Sequence, residues 1–225
     1  MKPWKEVDRA PIPDEDGELI LRRRDTEYSI RTTTTELMNS RLHGSEDALA
    51  ELTCARLHHH SDLNILIGGL GMGYTLGAAL RNSGPDTRIT VSELVPAVIK
   101  WNHEYIGHLA GFPLDDPRVS VQQGDVAITI TSKKKTWDAI LLDIDNGPDG
   151  LTREANNQLY NMQGLRGSFS ALKPGGILAV WSYTPDKSFT QRLTKCGFHT
   201  KVVTVRAHKP GKGSRHTIWV ATKPM

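Results

Sequence analysis

Asp143 and Asp145 stand two apart just beyond an apolar run, in the stretch WDAILLDIDNGP. In extended chain, residues two apart point the same way. Both carboxylates can therefore face one cleft, attract a cationic amine and take its proton. The same residues, with Asn146, Gly147 and Pro148, also make a strong turn sequence, and both readings stand. Glu93 closes a second apolar run, RITVSE, with Leu94 beside it. A carboxylate there offers two acceptor oxygens and no donor, which suits the paired hydroxyls of a ribose. Gly124 and Asp125 end a third run, RVSVQQGD. Asp125 can accept from the exocyclic amine of an adenine or cap a helix, and the two roles are compatible.

The glycines that accompany these acids are Gly68, Gly69, Gly71 and Gly73, directly after the apolar run Leu63–Ile67. Glycine turns the chain tightly and lets a ligand approach the main chain with no Cβ in the way. A nicotinamide dinucleotide fingerprint, G-x-G-x-x-G, needs glycine at position 74, and that residue is Tyr74. The spacing G-x-G-x-G with a downstream acid favours a single nucleoside instead. Trp181 and Tyr183, past the fifth run, are an aromatic wall for a cation or ordinary packing at a sheet edge.

These residues need a scaffold that brings several strand ends together. From Leu63 onward, short apolar runs of the kind buried on both faces alternate with helical patterns. This predicts an α/β fold with a doubly wound, mainly parallel seven-stranded sheet, Rossmann-like in layout. The last two strands, FHTKVVTVRA and HTIWVATK, read as a hairpin around KPGKGSR, giving one antiparallel strand at the end. Upstream, Met1–Gly17 reads as a loose arm and Glu18–Thr35 as a small β-hairpin. A helix follows, with Ser45 as its N-cap and Leu49, Leu52 and Leu57 on its apolar stripe. The expected division is 1–60 for the arm, hairpin and helix, and 61–225 for the nucleoside-binding domain.

The bulk numbers agree with a globular enzyme. The chain has 225 residues and a formal net charge of +3, too little to imply nucleic acid by itself. Cys54 and Cys196 read as free thiols of a reducing compartment. No apolar run reaches the roughly 20 residues that span a bilayer, and the polar N-terminus lacks a signal-peptide centre. These features point to the cytoplasm and to no membrane partner. His58-His59-His60 share no helical face, so no metal is expected. Lys133-Lys134-Lys135 reads as a solvated run. The loop from Lys209 to Arg215 is basic and keeps RNA methylation open as an alternative, although neither loop interleaves aromatics for base stacking.

At these residues the sequence resembles the spermidine synthase family of polyamine aminopropyltransferases, within the class I S-adenosylmethionine-dependent transferases. The resemblance covers about Glu18 to Leu178, including NILIGGLGMG, VSELVPAVI, WDAILLDIDNGP and ALKPGGILAV. It implies binding of S-adenosylmethionine or its decarboxylated form, a small-molecule amine as acceptor, and a homodimer. It matches Asp143 to the first acid of the strand-four motif, and Asn146, or Asp145 after a gap, to the second. Glu46 matches the polyamine-binding acids of the N-terminal helix. The family's glycine loop carries an acid that holds the donor's amine, and here Leu70 and Met72 stand instead. The expectation drawn from this is a transferase using intact S-adenosylmethionine, moving methyl or the aminocarboxypropyl arm to an amine. Aminopropyl transfer from the decarboxylated donor is the alternative, and a non-catalytic nucleoside-binding protein is a third.

Overall fold

A computed structural model describes residues 2–13, 16–57, 61–144, 157–208 and 212–225. The expectations placed on His58–His60, Asp145–Pro148 and Lys209–Gly211 lie outside the described residues.

The main sheet has seven strands: β5 (Asn64–Gly68), β6 (Arg88–Glu93), β7 (Val119–Gln123), β8 (Trp137–Leu142), β9 (Leu172–Ser182), β10 (His199–His208) and β11 (Lys212–Thr222). Their spatial order is β10-β11-β9-β8-β5-β6-β7. Strand order reverses beside β5, where the chain goes out through β6 and β7 and then returns to β8 on the other side. All neighbours from β7 to β9 pair parallel, while β11 is antiparallel to both β9 and β10. The antiparallel strand thus lies inside the sheet, inserted between β9 and β10, although it comes last in the chain. Buried on both faces, β5 and β8 show the continuous apolar character of central parallel strands, with Ile65, Leu66, Ile67, Ile140 and Leu141 fully buried.

Helices cover both faces: α1 (Gly44–Leu57), α2 (Tyr74–Arg81), α3 (Pro96–Trp101), α4 (Val126–Thr131), α5 (Asn157–Tyr160), α6 (Met162–Ala171) and α7 (Lys187–Lys195). One core cluster lies between the sheet and α1, α2 and α3, and the other lies under α4, α6 and α7. Among the described residues no helix is long and apolar enough to cross a membrane. Cys54 is buried and Cys196 half-buried, and both are free.

The N-terminal region differs from the expected arm and hairpin. It is a four-stranded antiparallel sheet, β1 (Lys5–Pro11), β2 (Glu18–Arg24), β3 (Glu27–Arg31) and β4 (Glu36–Asn39). The supposed arm contributes a whole strand because its charges find partners across the sheet and on α3. Arg9 reaches Glu18 at 3.1 Å, and Asp8 accepts from the Trp101 indole N–H at 2.9 Å and from Lys100 at 3.1 Å. Ser45 also departs from expectation. The helix begins two residues earlier than a Ser45 cap requires, with the Asp47 amide donating to the His43 carbonyl, and the Ser45 hydroxyl turns inward.

Candidate active site

The glycine turn joins β5 to α2 at the carboxyl edge of the sheet. Gly69, Gly71 and Gly73 all have positive φ, at 89°, 51° and 80°. At Gly69 the conformation is enforced twice, because a Cβ there would lie 2.3 Å from the Asp143 carbonyl oxygen. The turn can therefore lie flat against the end of β8 only if residue 69 has no side chain. Leu70 and Met72 point into the core and are buried.

Glu93 holds the turn from the end of β6. One carboxylate oxygen accepts from the Leu70 amide at 2.8 Å, and the other accepts from the Val95 amide at 2.8 Å. Burial pushes its pKa up, and the backbone N–H groups of Val95 and Leu70 pull the other way. The backbone N–H groups of Gly71 and Leu94 also act on this carboxylate, so it is held from the main chain on both sides of the turn. Asp125 is the N-cap of α4 and accepts from the Ala127 amide at 2.8 Å. That confirms its capping role and leaves its second oxygen available.

These residues border a cavity of about 250 Å³, also lined by Gly69, Gly71, Leu94, Asp143, Glu46 and Trp181. Gly73 and Gly124, expected at the cofactor, lie outside this lining. Gly73 opens α2, and the Gly124 amide donates to the Glu93 carbonyl at 2.8 Å while its own carbonyl accepts from Ser92. Tyr183 is exposed and outside the lining; its ring leans on His216 at 5.2 Å. The N-terminal sheet supplies an apolar wall that sequence reading did not anticipate: Ile12, Leu19, Ile30, Leu37 and Met38. The signal was present in the apolar alternation of β2 and β3, but nothing local says which sheet face a distant cavity will use.

Two acids from different elements meet in this cavity. Asp143, just past β8, accepts from the Thr75 hydroxyl at 2.5 Å, and the same hydroxyl lies 3.3 Å from the Glu46 carbonyl oxygen. Glu46, in the first turn of α1, accepts from the Ser45 hydroxyl at 2.6 Å. Burial raises the Glu46 carboxyl to about 7, with the neighbouring Asp143 charge adding to the rise. Burial likewise raises Asp143 to about 6, against the pull of the Thr75 hydrogen bond. Such a pair holds and releases a proton near neutral pH.

A doubly wound sheet with a glycine turn, a strand-end acid and a cavity beside the strand-order reversal places the chain in the class of open α/β proteins whose ligands bind beyond the carboxyl ends of the strands. Within it, residues 51–196 match the spermine/spermidine synthase domain, and the chain belongs to that family. A polyamine aminopropyltransferase of Bacillus mycoides is 30% identical over 127 residues, 56% of this chain and 44% of that protein. Polyamine aminopropyltransferase 1 of Streptomyces coelicolor is 30% identical over 124 residues, 54% of this chain and 22% of its own length. The matches thus span less than half of those relatives. In fold, the chain is similar to spermidine synthase from Thermotoga maritima, with a TM-score of 0.76 at 17% identity, covering 97% of this chain and 72% of that one. It is more distantly similar to a precorrin-6y C5,15-methyltransferase from Geobacter metallireducens, with a TM-score of 0.56 at 16% identity, covering 77% and 87%.

Proposed function

We propose that this protein moves the aminopropyl arm of decarboxylated S-adenosylmethionine to a small amine. The observation that carries this reading is the charge of the cavity. Among the described residues its lining holds four carboxylates, Glu46, Glu93, Asp125 and Asp143, and no Lys, Arg or His. A donor that keeps its own carboxylate would meet like charge with no cation to pair it, and a desolvated unpaired charge is costly. A decarboxylated donor brings only positive charge, and so does a protonated amine. Charge therefore favours the alternative drawn from the sequence over intact S-adenosylmethionine, and the family membership points the same way.

In this reading Glu93 accepts from the ribose hydroxyls at the cavity wall, Gly69 and Gly71 let the ligand approach the main chain, and Asp125 offers its second oxygen to the adenine amine. Trp181 walls the cationic centre. Asp143, with Glu46 behind it, removes one proton from the acceptor ammonium. The freed nitrogen lone pair then forms a bond to the propyl carbon next to sulfur. The carbon–sulfur pair leaves with sulfur, giving methylthioadenosine and a protonated N-alkyl amine. The protein's main contribution is alignment of nitrogen, carbon and sulfur. The apolar wall from the N-terminal sheet suits the methylene chain of the acceptor.

One feature favours a second reading, methyl transfer from intact S-adenosylmethionine. Leu70 and Met72 are buried in the core, so the glycine turn presents no acid to a donor amine. Incubating the protein with each donor and a pool of amines separates the two. Methylthioadenosine formed only with the decarboxylated donor supports aminopropyl transfer, and S-adenosylhomocysteine released from the intact donor overturns it. Asp143→Asn is expected to lower kcat about 100-fold or more while donor binding measured by calorimetry changes little.

A further inference from the structure

Among the described residues, Glu46 is the cavity carboxylate whose hydrogen bonds lead out of the cavity. Its partner Ser45 also lies 2.8 Å from Nδ1 of His216, a residue 171 positions away on β11. Nε2 of the same ring lies 2.9 Å from the hydroxyl of Ser214, which is exposed. Carboxyl, hydroxyl, imidazole and hydroxyl thus form a continuous line from cavity to solvent. The ring meets Trp181 edge-on, with centroids 4.9 Å apart, and Tyr183 leans against it at 5.2 Å with the planes tilted by 43°.

We propose that Ser45, His216 and Ser214 form the proton outlet of this active site, with His216 as a positioning residue that exchanges tautomers when Glu46 changes protonation state. The proposal rests on the amine-alkylation reading, in which each turnover leaves one proton on the buried carboxylates.

Hydrogen counting fixes how the line works. A serine hydroxyl has one hydrogen to give. When Glu46 is ionised, Ser45 donates to it, so Nδ1–H must donate to Ser45 and Nε2 must accept from Ser214. When Glu46 is protonated, it donates to Ser45, Ser45 donates to a bare Nδ1, and Nε2–H donates to Ser214. Passage from the second state to the first moves four hydrogens one step each. The Glu46 proton goes to the Ser45 oxygen, the Ser45 hydrogen to Nδ1, the Nε2 hydrogen to the Ser214 oxygen, and the Ser214 hydrogen to water. The ring is reset for the next outward passage when, with the Ser45 hydrogen bond open, Nδ1 gives its hydrogen to water and Nε2 takes one from water through Ser214, and the ring carries no charge in either resting state. Burial of His216 disfavours the imidazolium, which keeps the ring neutral.

The groups around the line fit this use. Glu46 faces Asp143, and His43 acts on it from the preceding turn. Neighbouring Asp47 is held by His43 at 3.0 Å and by Arg81 at 3.2 Å, and Tyr74 of α2 lies within reach of both acids. Around His216, its register partner on β10 is Val205, and Ser182 of β9 pairs with the next residue, Thr217. Arg215 points to the exposed face, and Arg206 donates to the Gly213 carbonyl at 3.0 Å.

The first test needs no turnover. In full-length protein labelled with ¹⁵N-histidine, the two ring nitrogens of His216 report which one carries the proton, across about pH 5 to 9. The expected result is a neutral ring whose proton moves from Nε2 to Nδ1 as pH rises through about 7, the value for Glu46. Glu46→Gln and Ser45→Ala should each freeze one tautomer. A single tautomer throughout in the wild type, or an imidazolium signal near neutral pH, overturns the proposal. In the second test, His216→Asn keeps a polar side chain near Ser45 but cannot exchange tautomers. It should lower kcat about 10-fold or more with KM for the amine little changed, and imidazole should restore part of the rate to His216→Gly. An unchanged kcat in His216→Asn overturns the relay. Wild-type protein that transfers nothing to amines but still exchanges tautomers would sink the functional reading alone. Turnover with a frozen ring would sink the relay alone.

Discussion

Glu46 and Asp143 carry the strongest consequence at the scale of single residues. Their ordinary values are 4.5 and 3.8, and in the fold they rise to about 7 and about 6, chiefly through burial. The folded protein therefore holds protons that the unfolded chain releases. Stability from these groups is full below about pH 4 and is lost as pH rises through about 6 to 7. Glu46→Gln removes the buried charge and leaves an acceptor for Ser45. Its expected effect is a gain of about 1–3 kcal/mol near pH 8 and none near pH 4. Thermal melts of both proteins at the two pH values check this, and a gain of equal size at both would mean that charge burial is not the cause. The same substitution should abolish amine transfer, so stability and activity are expected to move in opposite directions.

At the scale of elements, the glycine turn shows why one position tolerates no side chain while another does. Gly69 and Gly111 have similar positive φ, at 89° and 80°. A Cβ at Gly111 meets nothing within 4 Å, but at Gly69 it meets the Asp143 carbonyl. Gly111→Ala should therefore cost only the left-handed penalty, about 1–2 kcal/mol. Gly69→Ala adds a collision with backbone and should cost roughly 3 kcal/mol or more. Urea titrations of the two variants measure the difference, and equal costs would show that the turn can move off β8. The turn, the acid after it and the strand–helix alternation were legible because each is a local pattern: a glycine spacing, a buried apolar run, a carboxylate at a strand end. Lys5–Pro11 was not. It carries charge at most positions, and a register shift between Glu6 and Asp8 breaks the period-two signal. Ser45 was misjudged for a related reason. Its type fits an N-cap, but its partner His216 comes from the last strand, and no local pattern reports a contact across that distance.

For the whole molecule, the expected boundary near residue 60 is a boundary in chain order, and the core crosses it. Leu19, Leu21, Tyr28, Ile30 and Leu49 belong to the same buried cluster as Ile65, Ile67, Val91 and Leu141. The N-terminal sheet also closes the cavity with Ile30 and Met38, and Asp8 ties β1 to Trp101 and Lys100. A shared core makes separate melting of the two segments costly, because either alone would expose the apolar face that the other covers. Unfolding is therefore expected to be a single cooperative transition. The five tryptophans are placed to report it. Trp4 lies under Arg24 beside the N-terminal sheet, with 4.7 Å from guanidinium to ring, whereas Trp219 is fully buried in the main sheet. In ¹⁵N-tryptophan-labelled protein the native indole signals of both should vanish with the same urea midpoint. An earlier loss at Trp4 would mean that the N-terminal sheet opens by itself. The cavity would then gain and lose its apolar wall without global unfolding, and that sheet would become a gate for the acceptor.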